Sequence, residues 1–250
     1  MHYTSEEWKD IFEWCGCLWK HGEQSHMHAE LNDGTHSDIY LNAWSLLERP
    51  RLVRQACEDL LVLTQQWVGK PIMVDRVIGP PASGWPIAAG LAYILNCRWA
   101  VARDRFIRPR PEELPKEKDA THPSTFPTPS QGASIEYGDL EAFTLSGSTI
   151  TRSERVIVCD DVCVSGAALA RTLWAVERAG AHAEMYLPVL VNRKAAHPQF
   201  PETKSLLNMR KIISLFDLSS QVWKPEECPL CIEKSSVVRP STRWSVSINA

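Results

Sequence analysis

The sequence lacks an apolar run long enough to cross a bilayer, and it does not open with the pattern of a secretory signal. We therefore expect neither a membrane-spanning helix nor a secreted protein. It also lacks an excess of charge of either sign, because the formal net charge is only −3 over 250 residues. Overall charge therefore gives no reason to expect nucleic acid or an anionic membrane as a partner.

A disulfide framework is not expected either. The chain has eight cysteines, and several of them, such as Cys57, Cys97 and Cys159, lie inside apolar segments. This usage is typical of free thiols in a reducing cytoplasm. With 44% apolar and 23% charged residues, the chain has an ordinary composition for one large or two modest globular domains.

The most informative stretch is residues 155–170. Residues 156–159 form a short apolar run that is typical of a strand buried on both faces of a parallel sheet. Asp160 and Asp161 follow, and because buried charge is costly we expect both at the carboxyl edge of the sheet, where α/β proteins bind ligands. A turn of small residues, 164–168, then leads into an amphipathic helix that ends near Gly180.

This order of residues indicates a particular ligand. Backbone N–H groups of a small-residue turn, together with the helix dipole, attract an anion. Two carboxylates accept hydrogen bonds from vicinal hydroxyls, help to hold a divalent cation, and favour positive charge on a sugar ring. A ribose 5-phosphate offers both a phosphate and a diol. The bare pattern also fits another doubly wound protein, such as a methyltransferase or a receiver domain.

The run V-I-V-C-D-D-V-C-V-S-G-A-A, residues 156–168, resembles the phosphoribosyl-pyrophosphate motif of type I phosphoribosyltransferases. The resemblance implies an α/β fold with a parallel-cored sheet, flanking helices and a small hood subdomain. It makes Asp160 and Asp161 the catalytic acids that hold the ribose hydroxyls and stabilise the cationic sugar. The substrate-binding turn of the family falls on Val162, Cys163, Val164, Ser165, Gly166, Ala167 and Ala168. Val164 and Ala167 stand where the family often has hydroxyl side chains.

A second segment resembles the pyrophosphate loop of the same family. Its residues are Gly79, Pro80, Pro81, Ala82, Ser83 and Gly84. A loop of this composition holds its backbone N–H groups in fixed positions, which suits a diphosphate. Arg103 aligns with an arginine that binds pyrophosphate in the family, whereas Ser83 and Asp104 stand where many members have lysines. Trp85 replaces a small residue, and its ring either packs in the core or lines the ligand pocket.

Residues 27–42 predict a hairpin that turns at Asp33 and Gly34 and has residues 39–42 as its second strand. They resemble the base-covering hood of orotate phosphoribosyltransferases, and His-Ser-Asp at 36–38 is typical of an orotate-like branch. The resemblance implies that the backbone near Tyr40 pairs with a pyrimidine edge. Asn32 stands where many members have a lysine. The same residues also fit a plain hairpin with a polar tip.

Asn192 and Arg193 follow at the end of a predicted strand over residues 184–191. The resemblance implies that Arg193 binds the carboxylate of the base, which suits the planar guanidinium. The alternative is a surface arginine in a loop. Residues 105–134 predict a mobile insertion where the family has its catalytic loop. The usual signature of that loop is absent, and its candidate residues are Arg105, Arg108, Arg110, Lys116, Lys118 and His122.

The chain closes with Cys-Pro-Leu-Cys at residues 228–231, within a tail that also resembles the orotate-like branch. Cys228 and Cys231 have the spacing of half a zinc knuckle. A second pair with matching spacing is missing, so the cysteines alone do not predict zinc.

We therefore predict three regions: an N-terminal helix and hood hairpin (1–45), a phosphoribosyltransferase core (46–200), and C-terminal hood strands with the tail (201–250). The resemblance implies Mg²⁺-dependent transfer of ribose 5-phosphate from phosphoribosyl pyrophosphate to a nucleobase, with orotate favoured. It implies Mg²⁺ held mainly through the substrate, and a cytoplasmic homodimer. Two alternatives stay open: a module that senses the donor or a nucleotide without turnover, and a transferase for a different base.

Overall fold

The structure is a computed structural model that describes residues 2–22, 26–31, 34–103, 144–146, 150–193 and 209–239. Asn32, Asp33, Asp104 and the predicted insertion 105–134 lie outside the described residues. In chain order the elements are α1 (Ser5–Trp14), β1 (Leu18–Lys20), β2 (His28–Glu30), β3 (His36–Ser37), β4 (Ile39–Leu41), α2 (Trp44–Leu47), α3 (Pro50–Val68), β5 (Arg76–Gly79), α4 (Gly84–Leu95), β6 (Arg98–Arg103), β7 (Thr144–Ser146), β8 (Arg155–Val158), β9 (Asp160–Cys163), α5 (Ala167–Arg178), β10 (His182–Ala183), β11 (Tyr186–Arg193), β12 (Lys211–Leu218), β13 (Val222–Trp223), α6 (Pro229–Ile232) and β14 (Val237–Val238).

The core is a mostly parallel set of strands. One sheet has the order β10-β8-β5-β6-β7, in which β7 is antiparallel to β6, and a second has the order β12-β11-β9. β8 and β9 follow one another directly, with a single interruption at Cys159. The segment 155–163 thus pairs with β5 in its first half and with β11 in its second, and joins the two sheets. This is the parallel-cored architecture that the sequence predicts.

Helices cover both faces of this core. One hydrophobic cluster joins α1, α3 and α4 to one face, where Leu60 and Ile157 are fully buried. A second cluster packs α5 on the opposite face, with Leu173 against Val156 and Val158. Burial on both faces explains why the central strands are continuously apolar rather than alternating.

Local signals account for most helix ends. In α1 the Thr4 hydroxyl accepts the Glu7 N–H while the Glu7 carboxylate accepts the Thr4 N–H, which completes the predicted capping box. α3 begins at Pro50 and is followed by Gly69 in a left-handed conformation (φ 70°). Leu18 and Trp19 continue the helical spacing of the apolar residues in α1, yet they form β1.

All eight cysteines are free thiols. No helix in the described part of the chain is both long and apolar enough to span a membrane.

The hood is a four-stranded sheet of order β13-β3-β2-β14. The predicted hairpin forms, but β2 pairs with β3, with Glu30 opposite His36, and not with residues 39–42. β4 instead pairs with β1. Of the C-terminal strands, β13 and β14 join the hood, whereas β12 runs parallel to β11 in the core. The three-region division itself stays a prediction.

A buried ion pair lies where β5 and β8 begin. Arg76 and Glu154 are 0% and 3% exposed, and the Arg76 Nε lies 2.7 Å from the Glu154 carboxylate. Arg98 and the Thr151 N–H also donate to Glu154. The hydrogen bond from Arg76 is the main cause that lowers the pKa of Glu154 to about 2. The pair ties the starts of two neighbouring strands.

We predict that Glu154→Gln lowers the free energy of unfolding by about 3 kcal/mol, because it leaves the buried Arg76 without its counter-charge. Urea unfolding at pH 7 measures the change. The control is Glu58→Gln, which removes the partner of the 71% exposed Arg54 and is expected to change stability by less than about 0.5 kcal/mol.

The effect has a defined pH dependence. Because the folded-state pKa of Glu154 is depressed, its stabilising contribution is present above the unfolded value of about 4.3 and is lost as the pH falls toward about 2. The difference between the wild type and Glu154→Gln should therefore shrink across this range. A difference that stayed constant would contradict the assignment.

Candidate active site

The two predicted acids lie in a strand that changes phase. Val158 belongs to the cluster under α5 and Cys159 to the cluster under α3 and α4. Regular alternation would place Val162 under α5, yet Val162 packs with the α3 and α4 cluster and Cys163 with the α5 cluster. The alternation therefore shifts by one residue near the interruption at Cys159, as a bulge does.

The sequence led us to expect Asp160 and Asp161 at the end of the strand. They do not end it, because β9 continues to Cys163. Both are buried, at 5% and 9% exposure, and the Asp160 carboxylate accepts the Asp161 N–H at 2.8 Å. Burial, followed by the neighbouring charge on Asp161, raises the pKa of Asp160 well above its usual range. A ligand that donates hydrogen bonds or carries positive charge would relieve this repulsion.

The predicted pyrophosphate loop packs directly on the acids. The Ser83 hydroxyl donates to the Asp161 carboxylate at 2.9 Å. A Cβ on Gly84 would lie 3.3 Å from the Asp160 carboxylate and 2.5 Å from the Pro80 ring. A Cβ on Gly79 would lie 2.2 Å from the Gly84 carbonyl oxygen, so the loop can return this tightly only with glycine at both positions.

The same loop leads into the first turn of α4. Ala82 has a left-handed backbone (φ 64°), which is unusual for a residue with a side chain. Ser83 stands at the N-cap of α4, but its side chain makes no capping bond there because its hydroxyl reaches Asp161. The amino end of α4 thus points its backbone N–H groups to the edge where the acids lie.

The predicted phosphate turn forms at the start of α5. Gly166 is left-handed (φ 77°) at the N-cap, and the Ala167 N–H donates to the Ser165 hydroxyl at 3.3 Å. Gly166 is buried, whereas Val164, Ser165, Ala167 and Ala168 are half-buried. Packed side chains therefore do not cover this turn, and its peptide groups are near the surface.

Arg103 lies at the end of β6, on the other side of the glycine loop. Its guanidinium carbon is 5.8 Å from the centre of the Trp85 ring, and the Trp85 indole N–H donates to the Ala102 carbonyl at 3.4 Å. Trp85 therefore packs against β6 and supports the exposed Arg103 by a cation–π contact. This contact explains the large ring where the family has a small residue.

Arg193 is not a surface arginine, since it is 4% exposed. Its Nε donates to the Ser220 hydroxyl at 2.6 Å, and one terminal nitrogen donates to the Ile39 carbonyl at 3.0 Å and to the Ser37 hydroxyl. Since Asn192 is the register partner of Cys163, Arg193 ends β11 beside the beginning of the phosphate turn.

Tyr40 follows the carbonyl that Arg193 contacts. It is half-buried on β4 opposite Trp19, and burial raises the pKa of its phenol. Ser37 of the hood strand β3 and Ile39 of the next strand, β4, thus both contact Arg193 of the core. Tyr40 belongs to the same strand as Ile39.

The phosphoribosyl transferase domain family matches residues 47–227, which include both loops, the acids and Arg193. The chain belongs to the phosphoribosyltransferase family. Among its relatives, the orotate phosphoribosyltransferase of a Nitratiruptor species is 24% identical over 221 residues, which are 86% of this chain and 91% of that protein. The orotate phosphoribosyltransferase of Heliobacterium modesticaldum is 25% identical over 217 residues, 86% of this chain and 90% of that protein.

A solved structure shares the fold of this phosphoribosyltransferase. The crystal structure of orotate phosphoribosyltransferase from Aeropyrum pernix matches with a TM-score of 0.53 and 19% identity, over 84% of this chain and 93% of that chain. The predictions of the family, the transferase class and the type I phosphoribosyltransferase fold are confirmed. The roles of individual site residues stay predictions.

Sequence reasoning missed the positioning role of three serines, although Ser83 was itself predicted as part of the pyrophosphate loop. Ser37 and Ser220 hold Arg193, and Ser83 holds Asp161. Ser37 lay within the quoted hood motif, so its presence there was a signal. Ser220 follows β12 with no recognisable pattern, and its role depends on tertiary folding.

We predict that Asp160→Asn makes the phosphoribosyltransferase more stable and less active. Asparagine keeps the acceptor for the Asp161 N–H but removes a charge that burial and Asp161 disfavour, so the melting temperature should rise by about 2–4 °C. Turnover should fall about 100-fold, because the sugar cation loses a facing charge. Thermal unfolding without ligand and a steady-state assay measure the two effects.

The pH dependence separates this cause from better packing. Because the folded-state pKa of Asp160 is raised, its destabilising effect is absent below the unfolded value of about 3.9 and grows as the pH rises. The stability gained by Asp160→Asn should therefore vanish near pH 4. Asp10→Asn, on the exposed face of α1, should change neither property. A variant with full turnover would rule out the catalytic role.

Proposed function

We propose that this phosphoribosyltransferase transfers ribose 5-phosphate from phosphoribosyl pyrophosphate to orotate, giving orotidine monophosphate. The observation that carries the proposal is the placement of Arg193. It is buried, its guanidinium is oriented by Ser37, Ser220 and the Ile39 carbonyl, and it ends the strand next to the phosphate turn. A planar cation held in this way suits the carboxylate of a planar base. The named activity of the relatives supports the same base.

The chemistry follows from the arrangement of the loops. The turn 164–168 binds the 5-phosphate through its peptide N–H groups and the start of α5, which leaves the ribose hydroxyls facing Asp160 and Asp161. The glycine loop 79–84 and Arg103 bind the pyrophosphate. The bond from C1 of the ribose to the pyrophosphate oxygen breaks and the electron pair leaves with pyrophosphate, while a base nitrogen forms the new bond to C1 and its N–H proton is released. The two carboxylates stabilise the positive charge that develops on the ring.

Magnesium fits the oxygen chemistry of this site. Asp160 and Asp161 offer carboxylates, but no third acid or histidine of the described residues joins them in a chelating group. We therefore infer that Mg²⁺ is held mainly by pyrophosphate and ribose oxygens, with the two acids close by. When bound, it neutralises charge on the leaving pyrophosphate.

The homodimer and the cytoplasmic location stay predictions. Light scattering of the purified protein tests whether the protein is a dimer.

One observation favours a second candidate, a sensor that binds the donor without turnover. Ser83 replaces a lysine, and its hydroxyl is bonded to Asp161, so this position brings no positive charge to the pyrophosphate. Thermal shift combined with an assay of pyrophosphate release separates the candidates, because both bind the donor but only an enzyme consumes it. Stabilisation by the donor, with no pyrophosphate released for any base, would support the sensor.

The direct test incubates the full chain with phosphoribosyl pyrophosphate, Mg²⁺ and either orotate or adenine, and measures pyrophosphate release. We predict that Arg193→Ala lowers kcat/KM for orotate about 100-fold or more, since a charge-assisted hydrogen bond to the carboxylate of the base is lost. Arg193→Lys should recover little of this activity, because an ammonium lacks the planar fork.

Arg51→Ala is the control, since Arg51 is an exposed arginine at the start of α3. The thermal shift caused by the donor should survive in Arg193→Ala, which shows that the phosphate sites are intact. Unchanged orotate kinetics in Arg193→Ala would remove this base from the proposal, and release with adenine alone would assign a purine instead.

A further inference from the structure

A group of four metal-binding side chains lies in the hood, away from the proposed catalytic edge. It consists of His28, His36, Cys228 and Cys231, and their ligand atoms all lie within 4.8 Å of one another. His28 and Cys228 are fully buried, and His36 is 6% exposed. We propose that these four residues bind one structural Zn²⁺ ion, which fastens the C-terminal tail to the hood hairpin.

The strands and the tail bring the ligands together from distant parts of the sequence. Glu30 pairs with His36 across the β2–β3 hairpin, so His28, two residues before Glu30, projects from the same face at the diagonal position. Cys228 caps α6, and Cys231 lies three residues later in the same short turn. Two hairpin histidines therefore complete the half knuckle that the cysteine spacing indicates.

Four of the six distances between the ligand atoms lie close to those around a tetrahedral zinc ion. The His28 Nε2 lies 3.2 Å from the His36 Nδ1, 3.6 Å from the Cys228 sulfur and 3.4 Å from the Cys231 sulfur, and the last sulfur lies 3.2 Å from the His36 Nδ1. Zinc bonds of about 2.0–2.1 Å to nitrogen and about 2.3 Å to sulfur at tetrahedral angles separate the ligand atoms by about 3.3–3.8 Å. Two thiolates and two imidazoles are also a ligand set that zinc prefers over Mg²⁺ or Ca²⁺.

A hydrogen bond outside the group orients His28 for this role. The Ser235 hydroxyl donates its single proton to the His26 carbonyl at 2.7 Å, so it can only accept from the His28 Nδ1 at 2.9 Å. The His28 proton is therefore on Nδ1, and Nε2 presents a lone pair to the other three ligand atoms.

Hydrogen bonding alone does not explain the group. The His28 Nε2 carries no proton and has three close neighbours, whereas a lone pair accepts one hydrogen bond. A cation at the centre satisfies all four ligand atoms at once. It also explains why two thiols and two imidazoles share a site from which water is largely excluded.

The ion would also support the proposed base site. His36 is followed directly by Ser37, whose hydroxyl contacts Arg193, and the tail strand β14 pairs with β2 next to His28. Loss of the metal should therefore loosen the strand that orients Arg193. This consequence rests on the proposed function, whereas metal binding does not.

The test measures zinc by plasma mass spectrometry in the full chain, purified under reducing conditions without chelator. The wild type should hold about one zinc per chain. Cys231→Ser should lose at least about nine-tenths of it, and Cys97→Ser, a half-buried thiol outside the group, should keep it. Equal zinc in the two variants would overturn the proposal.

A second measurement on the wild type covers the case in which Cys231→Ser does not fold. The chelated protein is reloaded with Co²⁺, and tetrahedral thiolate ligation should give visible ligand-field bands and a near-ultraviolet thiolate charge-transfer band. Re-added Zn²⁺ should abolish both and raise the melting temperature, whereas Mg²⁺ should do neither. Reduced wild type that takes up neither ion, or a Cys228–Cys231 disulfide found by thiol titration in freshly purified protein, would overturn the site. Metal content is read without substrate, so its failure is distinct from failure of the transferase assay.

Discussion

The close approach of the acid pair to the glycine loop is the constraint around which the core is arranged. Asp160 and Asp161 are carboxylates inside a buried strand, where charge is costly, and the raised pKa of Asp160 shows the strain of holding both. The fold tolerates this arrangement because Ser83 donates to Asp161 and a backbone N–H donates to Asp160. The two carboxylates can still accept hydrogen bonds from hydroxyl groups or pair with a positive charge. A ribosyl donor with its cation supplies both.

Two contacts hold this edge in register. Arg76 pairs with Glu154 where β5 and β8 begin, and Ser83 pairs with Asp161 just beyond the other end of β5. Both contacts join residues that are 78 positions apart. One contact therefore lies at each end of β5, and both join it to the segment 154–161. A slip of one residue would break both together and would move the acids away from the glycine loop. The stability of the buried ion pair is thus linked to the geometry of the catalytic edge.

Local patterns predicted much of this structure. The β-branched run before Asp160 indicated a strand buried on both faces, and the small residues after Cys163 indicated the turn into α5. Pro50 and Gly69 stand at the two ends of α3, where proline and glycine commonly occur. The shift in alternation at Cys159 was not predictable from the sequence. It occurs where the chain stops pairing with β5 and starts pairing with β11, and no glycine marks that position. The hairpin partner was predicted wrongly for a similar reason. Residues 39–41 have strand propensity, but β1 competes for them and is the element that pairs.

The hood shows most clearly what spacing rules miss. Cysteine spacing read along the chain found half of a metal site and no partner for it, because the other two ligands are about 200 residues away and become neighbours only when β14 pairs with β2. β2 also pairs with β3, the strand that carries Ser37, and the Ser37 hydroxyl accepts a hydrogen bond from Arg193. With the proposed zinc bound, the tail would support the proposed base site through contacts in series: the metal, His36, Ser37 and the Arg193 guanidinium. Under the proposed function, the geometry of base recognition would therefore depend on residues that never touch the base.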